Sequence, residues 1–516
     1  MKKHLQTAIC FLLLLSMVFV FAACTTEGGD TGSGSGTSKG GAASGDSAVS
    51  GEPGSEYMNA DGFYIPKKGV LDEYKGRTFT ILVVGAKAAT YQSDDFTTEA
   101  GEGGIDYGDS YYVAVGARND RVEEIYDITL DVQKIDSPMS VAQQDELSGT
   151  KLFDAVILDT KDMCALAQQG YLCDLNTLQN IDLNAPWWNA SANEAFSIGE
   201  KLFFTTGDIT IMDKATTAAI LFLKQVIVDY QLESPYTLFK EGKWTFDKMV
   251  EMCAAVGNAT ATSDWQDPNV IYGMTCAQSD ILQFYAASGQ QLCEKDAANE
   301  PSLLFGKNEA SINLTEKILN TFNDATWKLY AQDCTNGPNG NIWEDNFSVF
   351  YNGRCLLRPS GFTAVAKMRL RSDIEFGIVP MPRMTEDQEY SVQVPNNGFG
   401  AGILQHCKDP EFSAYMLDAF AAASKYDGPG GITYEYLETT LKGKNYMDNE
   451  SREMVDYIFN NLVYDIGRVY GFGGLPSMFE TLAKNKSSDV RSSFEQIQGK
   501  VETAIEETVA DYKANN

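Results

Sequence analysis

A short, mostly apolar run in the first half of the chain places the strongest constraint on the fold. Residues 151–160 read KLFDAVILDT, and Phe153–Leu158 forms the run. A run of this length after Ser-Gly-Thr is typical of a strand buried on both faces of a parallel sheet. The helical segment DMCALAQQ follows at once, and Asp159 or Thr160 can cap it. This strand-then-helix unit indicates an α/β fold.

The same alternation recurs along the chain. In the first half, the β-branched run Thr78–Val84 predicts the first strand, Tyr111–Tyr126 has helical periodicity, and Ile128–Val132 predicts a second strand. Later segments predict the helices Trp244–Val256, Ile281–Ala287, Ile312–Leu329, Trp343–Tyr351, Phe362–Leu370, Pro410–Ala423 and Leu482–Tyr512, and the strands Val270–Thr275, Arg354–Leu357 and Ile374–Val379. Strands that alternate with helices form a mostly parallel, doubly wound sheet.

The amino terminus predicts export and a lipid anchor. Lys2 and Lys3 precede the apolar segment Ala8–Val20, which has the length of a signal peptide and is shorter than the roughly 20 apolar residues of a membrane span. The residues FAAC follow this segment at positions 21–24, and the small residues before Cys24 resemble the lipobox of bacterial lipoproteins. We interpret residues 1–23 as a signal peptide and Cys24 as the lipidated, palmitate-bearing first residue; ordinary secretion with a free thiol is the alternative.

A spacer follows the lipidation site. Residues 25–56 consist largely of Gly, Ser, Thr, Ala and Asp, a composition that cannot bury a core and predicts a flexible linker. With Cys24, this 24–56 segment would tether the folded part to the cell membrane, on its extracellular face. Two or three acyl chains anchor a protein stably where a single chain is marginal.

The length of the remaining chain predicts two domains. About 460 residues follow the linker, which is too long for a single core. The apolar runs Ala215–Leu223 and Gly398–Leu404 are candidate crossings between domains. We therefore expect an N-terminal lobe over 57–214, a C-terminal lobe over 215–397, and a segment 398–516 that returns and packs its helices on both lobes.

Charge and composition exclude several classes of function. The formal net charge is -31, and no basic stripe is present, so we expect no nucleic-acid partner. Once residues 1–23 are removed, His406 is the only histidine, so a catalytic triad would have to use it, and we expect no catalytic residue. Zinc or manganese capture needs several histidines or clustered cysteines, so we expect no metal and no cofactor.

Eight cysteines remain after the leader and Cys24. They form no CxxC pair, and most have apolar neighbours. Export permits disulfides, while the apolar surroundings favour buried thiols, so both states stay open. The eight are Cys164, Cys173, Cys253, Cys276, Cys293, Cys334, Cys355 and Cys407.

Polar residues at strand ends and crossings are the first group of candidate ligand contacts. Open α/β sheets bind ligands where their strands end. We select Asp159 at the end of its strand, Asp208 before the first crossing, and Asn396 with Asn397 before the return crossing. Asp159 serves equally well as a helix cap. Asp94 is a further candidate, because it lies in the polar, glycine-rich loop 85–108.

Aromatic and cationic side chains are the second group. Trp265 lies in the polar loop TSDWQDPN, and Trp343 opens a predicted helix after a Gly- and Asn-rich stretch. Each can offer a flat apolar face to a sugar ring, and for Trp343 a core role is the alternative. The adjacent pair Trp187–Trp188 is expected to pack beneath a loop, with ligand contact as the alternative. Arg354 is expected in an internal ion pair rather than on a ligand.

Several stretches, in order along the chain, resemble the extracellular solute-binding proteins of bacterial ABC importers, the group that includes maltose-binding-type sugar receptors. The resemblance implies a two-lobed, periplasmic-binding-protein-like fold of type II, with a mostly parallel sheet flanked by helices in each lobe and hinge crossovers between them. It also implies a monomer that captures a sugar or oligosaccharide and delivers it to a membrane permease. The matching segments are AVGARNDRVEEIYDITL, FDAVILDT with GYLCDLNTL, NAPWWN with SIGEKLFFTTGDIT, EGKWTFDKMVEM, FGIVPMPRMTEDQEYSV and LKGKNYMDNESREMVDYIFNNLVYDIGR.

Two other readings remain open. A receptor for a peptide or another small polar solute would have the same architecture. A secreted carbohydrate-active enzyme would need two carboxylates across a cleft, and a chain with 71 Asp and Glu residues can supply such a pair.

Overall fold

The strands assemble into two five-stranded sheets and two short two-stranded ones. A computed structural model describes residues 55–59, 62–86, 91–101, 104–260, 262–368, 374–395, 397–425, 430–443 and 447–515. The first sheet consists, in spatial order, of β2 (Thr129–Ile135), β1 (Thr78–Val84), β3 (Ala155–Asp159), β13 (Phe399–Gly402) and β4 (Phe204–Thr205). The second consists of β11 (Phe376–Val379), β5 (Ala218–Leu223), β10 (Cys355–Gly361), β6 (Tyr272–Cys276) and β9 (Lys328–Tyr330). The short sheets pair β7 (Cys293–Lys295) with β8 (Pro301–Leu303), and β12 (Val392–Gln393) with β14 (Leu462–Val463).

One strand in each large sheet runs against the others. β13 is antiparallel to β3 and β4, and β5 is antiparallel to β10 and β11, while β1 with β2 and β3, and β6 with β9 and β10, pair in parallel. The two reversed strands are those that carry the chain from one sheet to the other. The expectation of two mostly parallel sheets joined by crossovers is thus confirmed. We call the first sheet with its helices the N-terminal lobe and the second the C-terminal lobe.

Helices cover the sheets. They are α1 (Asp109–Tyr126), α2 (Pro138–Ser148), α3 (Thr160–Gln168), α4 (Ala190–Phe196), α5 (Met212–Thr216), α6 (Lys224–Asp229), α7 (Pro235–Lys240), α8 (Phe246–Val256), α9 (Asp280–Ala287), α10 (Glu309–Asp324), α11 (Ile342–Tyr351), α12 (Thr363–Met368), α13 (Pro410–Ser424), α14 (Ile432–Tyr434), α15 (Asn449–Asn460), α16 (Ile466–Tyr470), α17 (Leu475–Lys484) and α18 (Val490–Ala514). Single helical turns occur at Ser55–Tyr57, Asp72–Tyr74, Leu175–Thr177, Ala331–Asp333 and Phe472–Gly474, and a π-helix at Glu435–Leu441. Over the described ranges, no helix combines the length and apolar character needed to cross a membrane.

Local sequence explains most element boundaries. β1 has the predicted limits, because its β-branched and apolar side chains fill a strand that is buried from Ile81 to Val84. Thr245 caps α8 as predicted, accepting a hydrogen bond from the Lys248 amide at 3.2 Å. Asp489 caps α18 in the same way, which divides the predicted helix Leu482–Tyr512 into α17 and α18.

The predicted helix Ile312–Leu329 is wrong at its carboxyl end. The helix stops at Asp324, and Lys328–Tyr330 instead forms the edge strand β9, paired with β6. The residues 327–330 read WKLY and fit a half-buried strand, so pairing with a neighbouring sheet outweighs continuation of the helical pattern. The crossing Ala215–Leu223 likewise begins with the end of α5, and its strand starts only at Ala218.

All eight cysteines in the described part of the chain are buried free thiols. Burial raises the pKa of the Cys355 thiol to about 11, and it raises the pKa of Cys253 as well. A thiol is a nucleophile only as the thiolate, so Cys253 and Cys355 behave as small apolar core residues.

The pair Trp187–Trp188 lies in the core of the N-terminal lobe, as the packing interpretation predicts. Both indole Nε1 atoms donate hydrogen bonds to the same oxygen of Asp418 on α13, at 2.7 and 2.8 Å. Burial raises the pKa of Asp418 to about 7, although the two indole donors oppose that shift. Asp418 is thus held by three neutral donors, the two indoles and the Asp182 amide, and by no cation within ion-pair distance among the described residues.

We expect Asp418→Asn to change how stability depends on pH. Asp418 has a folded-state pKa near 7 and an unfolded pKa near 3.8. At a pH between these two values, the folded state therefore keeps a proton on Asp418 that the unfolded state has lost. Its contribution therefore falls as pH rises from about 4 to about 7, by up to about 4 kcal/mol. Asn keeps an acceptor for the indoles and does not titrate. Urea unfolding from pH 4 to 8 should show the variant gaining stability relative to the parent chain as pH rises. A constant difference would contradict the assignment, and Glu495→Gln on the exposed face of α18 controls for loss of one carboxylate.

Close packing of α8 on β6 requires a glycine. A Cβ placed on Gly273 would overlap backbone atoms of Cys253, whereas a Cβ on Gly499, in the middle of α18, meets nothing within 4 Å. We expect Gly273→Ala to lower the free energy of unfolding by about 1–3 kcal/mol through overpacking. Gly499→Ala should raise it by about 0.5–1 kcal/mol, since alanine favours an exposed helix interior. Denaturant unfolding measures both, and equal effects would rule out the close approach as the cause.

Candidate functional site

A cavity of about 430 Å³ lies between the two lobes, beside the crossovers. Tyr91 and Ile105 line it from the N-terminal lobe, and both belong to the loop 85–108 that the sequence marks as ligand-facing. The crossovers contribute Thr216, Ala218, Pro395 and Asn397. The remaining lining comes from the C-terminal lobe: Cys276, Ala277, Ser279, Asp280, Gln283, Trp343, Glu344, Asn346, Phe347, Arg358, Pro359, Ser360, Gly361, Thr363, Ala364 and Lys367.

The C-terminal wall is built where parallel strands end and helices begin. β6 ends at Cys276 and is followed by α9, and β10 ends at Gly361 and is followed by α12. Because β6 and β10 are parallel neighbours, their carboxyl ends meet at one edge of the sheet. This edge is where open α/β sheets place ligands.

The crossovers form the floor of the cavity and pack closely on one another. A Cβ on Gly398 would lie 3.3 Å from Val394 Cγ1 and 3.4 Å from Asp213 Cα, and one on Gly361 would lie 3.0 Å from the Ala215 carbonyl. Next to this contact, the Oδ1 atom of Asn397 is buried and has no hydrogen-bond partner. Buried polar atoms in native proteins nearly always have a partner, so this acceptor is available to a ligand or to water.

Arg358 is the main cation of the cavity. Its Nη1 atom donates to Thr275 Oγ1 at 3.2 Å and to Asn346 Oδ1, and its guanidinium lies over the Phe347 ring at 4.9 Å. Its Nε atom is buried without a partner. Desolvation by the surrounding protein lowers the pKa of Arg358, but a guanidinium stays charged near neutral pH. The contacts on one edge therefore hold a charged group rigidly while its other edge is unused.

Acidic groups also reach the cavity, and most of them are engaged. Asp280 accepts a hydrogen bond from the Ala277 amide at 2.7 Å, and burial raises its pKa to about 6. Glu344 pairs with Lys367 at 3.3 Å. The site thus offers a carboxylate, a guanidinium, amides and hydroxyls beside aromatic rings, which are the groups that bind a polyhydroxylated molecule.

Among the aromatic candidates, the structure brings Trp343 to the cavity and not Trp265. Trp343 is 49% exposed and lines the C-terminal wall. Trp265 packs partly buried against the core, and its carbonyl accepts a hydrogen bond from Arg354 at 3.0 Å. Arg354 also donates to the carbonyls of Asp267 and Val270, so it ties down this loop. The expected internal ion pair of Arg354 is not found among the described residues.

The acidic candidates are held by protein groups outside the cavity lining. Asp159 caps α3, accepting from the Asp162 amide at 2.9 Å. Asp208 lies 3.5 Å from Lys425 and accepts from Thr433 at 3.0 Å. Asp94 is buried against Lys134 at 2.5 Å. Asn396 and Cys24 lie outside the described residues, while the neighbour Asn397 does line the cavity.

Sequence reasoning missed Arg358 and Asp280. A signal for both exists: a charged residue near the end of the apolar strand CLLRPSG, and a carboxylate shortly after the strand YGMTC. His406, the candidate for a triad, lies on the N-terminal lobe with its Nδ1 atom 2.6 Å from Glu146, and does not line the cavity. No group of three potential metal ligands occurs among the residues described.

Comparisons with known proteins support the fold. No family model and no curated protein matches the sequence. Solved structures do match: an ABC substrate-binding protein from Listeria monocytogenes in complex with cycloalternan has a TM-score of 0.51 at 14% identity, covering 85% of this chain and 98% of that one. UspC from M. tuberculosis gives 0.52 at 14% identity, covering 83% and 100%. MalE from Listeria monocytogenes in complex with maltose gives 0.50 at 14% identity, covering 85% and 99%. The chain thus has the two-lobed, type II fold of ABC solute-binding proteins.

Proposed function

We propose that this protein is the substrate-binding component of an ABC import system, which captures a sugar or oligosaccharide between its lobes and delivers it to a membrane permease. One observation carries the proposal. The cavity holds a buried acceptor without a partner, Asn397 Oδ1, and a buried donor without a partner, Arg358 Nε. Trp343 stands exposed on the same wall. A sugar hydroxyl both donates and accepts, and the C–H face of a sugar ring stacks on an aromatic ring.

The structural neighbours agree with a saccharide ligand. One of them was solved with cycloalternan and another with maltose. We carry this ligand class to the present chain because its own cavity lies between the lobes and has the polar and aromatic groups that such a ligand needs.

The mechanism is differential binding. A ligand in the cavity contacts Tyr91 on the N-terminal lobe and residues such as Trp343 on the C-terminal lobe, so it stabilises the closed arrangement more than the open one. The crossovers, which carry Thr216 and Asn397, lie at the floor of the same cavity and form the hinge. No bond of the ligand is broken in this cycle.

The location and chain organisation complete the proposal. Residues 1–23 act as a signal peptide, Cys24 carries the lipid, and 24–56 is the tether. The lobes span 57–214 and 215–397, and 398–516 returns across the hinge. The protein then acts as a monomer on the extracellular face of the cell membrane.

Ligand screening by thermal unfolding tests the function. A ligand that binds only the folded state raises the melting temperature, so we expect at least one saccharide in a broad panel to do so. A shift with peptides and with no saccharide would reject the sugar assignment. Mass spectrometry of the saccharide after incubation should recover it intact, and cleavage products would favour a carbohydrate-active enzyme instead.

Trp343→Ala should weaken binding and leave the fold intact. The side chain is half exposed, so the ligand-free melting temperature is expected to change little. Loss of an aromatic stack should raise the Kd for the saccharide about three- to tenfold. Tyr230→Ala is a matched control, because Tyr230 is an exposed aromatic residue outside the cavity lining. Equal Kd values for both variants in calorimetric titration would remove Trp343 from the binding site.

A further inference from the structure

Arg358 lines the cavity, and one edge of its guanidinium has no partner among the described residues. Its Nη1 atom is occupied by Thr275 Oγ1 and Asn346 Oδ1, and one face is covered by Phe347. Nε is buried without an acceptor, and Nη2 has no acceptor among the described residues. Nε and Nη2 form the edge with which a guanidinium makes two parallel hydrogen bonds to one carboxylate.

No acid in the described part of the chain forms an ion pair with Arg358 within 4.0 Å. Asp280 acts on it electrostatically from a longer distance. Asp280 uses Oδ2 to accept from the Ala277 amide, and Glu344 pairs with Lys367. The chain carries 71 Asp and Glu residues against 40 Lys and Arg, so a shortage of acids does not explain an arginine left without one.

A second cation behind the cavity adds to the positive potential. Arg468 on α16 is buried, its Nη1 atom has no partner, and it acts electrostatically on Asp280. The helices α9 and α11 also begin at the cavity, with Asp280 and Trp343 in their first turns, and a helix N-terminus carries a partial positive charge. Asp465 acts on Arg468 electrostatically in turn, and Asp280 is the one carboxylate of the cavity lining that is not paired with a lysine or arginine in the described structure.

We propose that the preferred ligand is an acidic saccharide, whose carboxylate, as in a uronic acid, binds side-on to Nε and Nη2 of Arg358. The inference rests on the proposed function and specifies its ligand class. A neutral hydroxyl can occupy one of these donors at a time, whereas a carboxylate occupies both and also neutralises the buried charge. Arg358 is then the residue that selects acidic over neutral sugars.

The test compares matched pairs of disaccharides in which the acidic member has carboxylates where the neutral member has hydroxymethyl groups. Digalacturonic acid against α-1,4-galactobiose is one such pair, and corresponding glucuronate and mannuronate pairs vary the ring. We expect the best acidic member to bind the parent protein at least tenfold more tightly than its neutral counterpart in calorimetric titration. The preference should shrink as NaCl is raised from 0.05 to 0.5 M, because salt screens charge pairing.

Variants assign the preference to Arg358. Arg358→Gln should abolish the preference, because it should weaken binding of the acidic ligand at least tenfold more than binding of the neutral one. Arg358→Lys keeps the charge without the two-donor edge and should retain only part of the preference. Arg491→Gln removes a positive charge on the surface, where it pairs with Glu309, and should leave the preference unchanged. Ligand-free melting curves check that each variant is folded. If Arg358→Gln does not fold, the salt dependence of binding to the parent protein still tests whether the acidic sugar binds through charge pairing.

The outcomes separate the two proposals. If neutral members bind as tightly as acidic ones, the acidic ligand is rejected. If Arg358→Gln keeps the preference, side-on binding of the carboxylate to Arg358 is rejected. In both cases the sugar receptor stands. If no saccharide of either kind binds, both are rejected.

Discussion

The antiparallel pairing of one strand in each lobe is the constraint on which the cavity depends. β13 enters the N-terminal lobe with Phe399 opposite Asp159, the last residue of β3. β5 enters the C-terminal lobe with Ala218 opposite Gly361, the last residue of β10. Both crossings therefore join the lobes at the edge where parallel strands end and helices begin. The hinge and the ligand-binding edges of the two sheets coincide for this reason, and a molecule in the cavity touches both lobes and the hinge together.

Buried polar groups with a structural role differ from those at the binding site in whether their hydrogen-bonding atoms have partners. Asp418 is deeply buried, and two indole donors and one backbone amide satisfy it, so it holds α13 against the Trp187–Trp188 turn. Arg358 is anchored at one edge and left unsatisfied at the other, in the wall of a cavity. The Oδ1 atom of Asn397, beside the crossovers that line the same cavity, has no partner either. A buried polar atom without a partner costs free energy in the empty protein, and a ligand that supplies the partner recovers it on binding.

Local pattern predicted the framework better than the site. The limits of β1, the cap Thr245 and the helix after β3 follow from neighbours in sequence, and the structure has them. The helix assigned to Ile312–Leu329 failed at its end because pairing of Lys328–Tyr330 with β6 is a contact between distant segments. The same limit applies to the ligand contacts. Asp159 lies at a strand end, as predicted for a ligand contact, yet its carboxylate accepts a hydrogen bond from a backbone amide. Asp208 lies before the first crossing, yet its carboxylate pairs with a lysine. Trp343 reached the cavity, while Arg358 was overlooked because its strand reads as buried.

The sequence alone determined the alternation of strands and helices, the caps, and a length that needs two cores, because hydrophobic period and capping chemistry act between residues a few positions apart. The tertiary structure alone decided the direction of β5 and β13 and which residues line the cavity, and among the described residues it left the Nε atom of Arg358 without a partner. These depend on which remote segments pair across a sheet edge: Ala218 meets Gly361 and Phe399 meets Asp159 only after the sheets have formed. No local sequence pattern predicts such a pairing of remote residues, because the free energy that stabilises it comes from sheet hydrogen bonds and burial across the whole lobe.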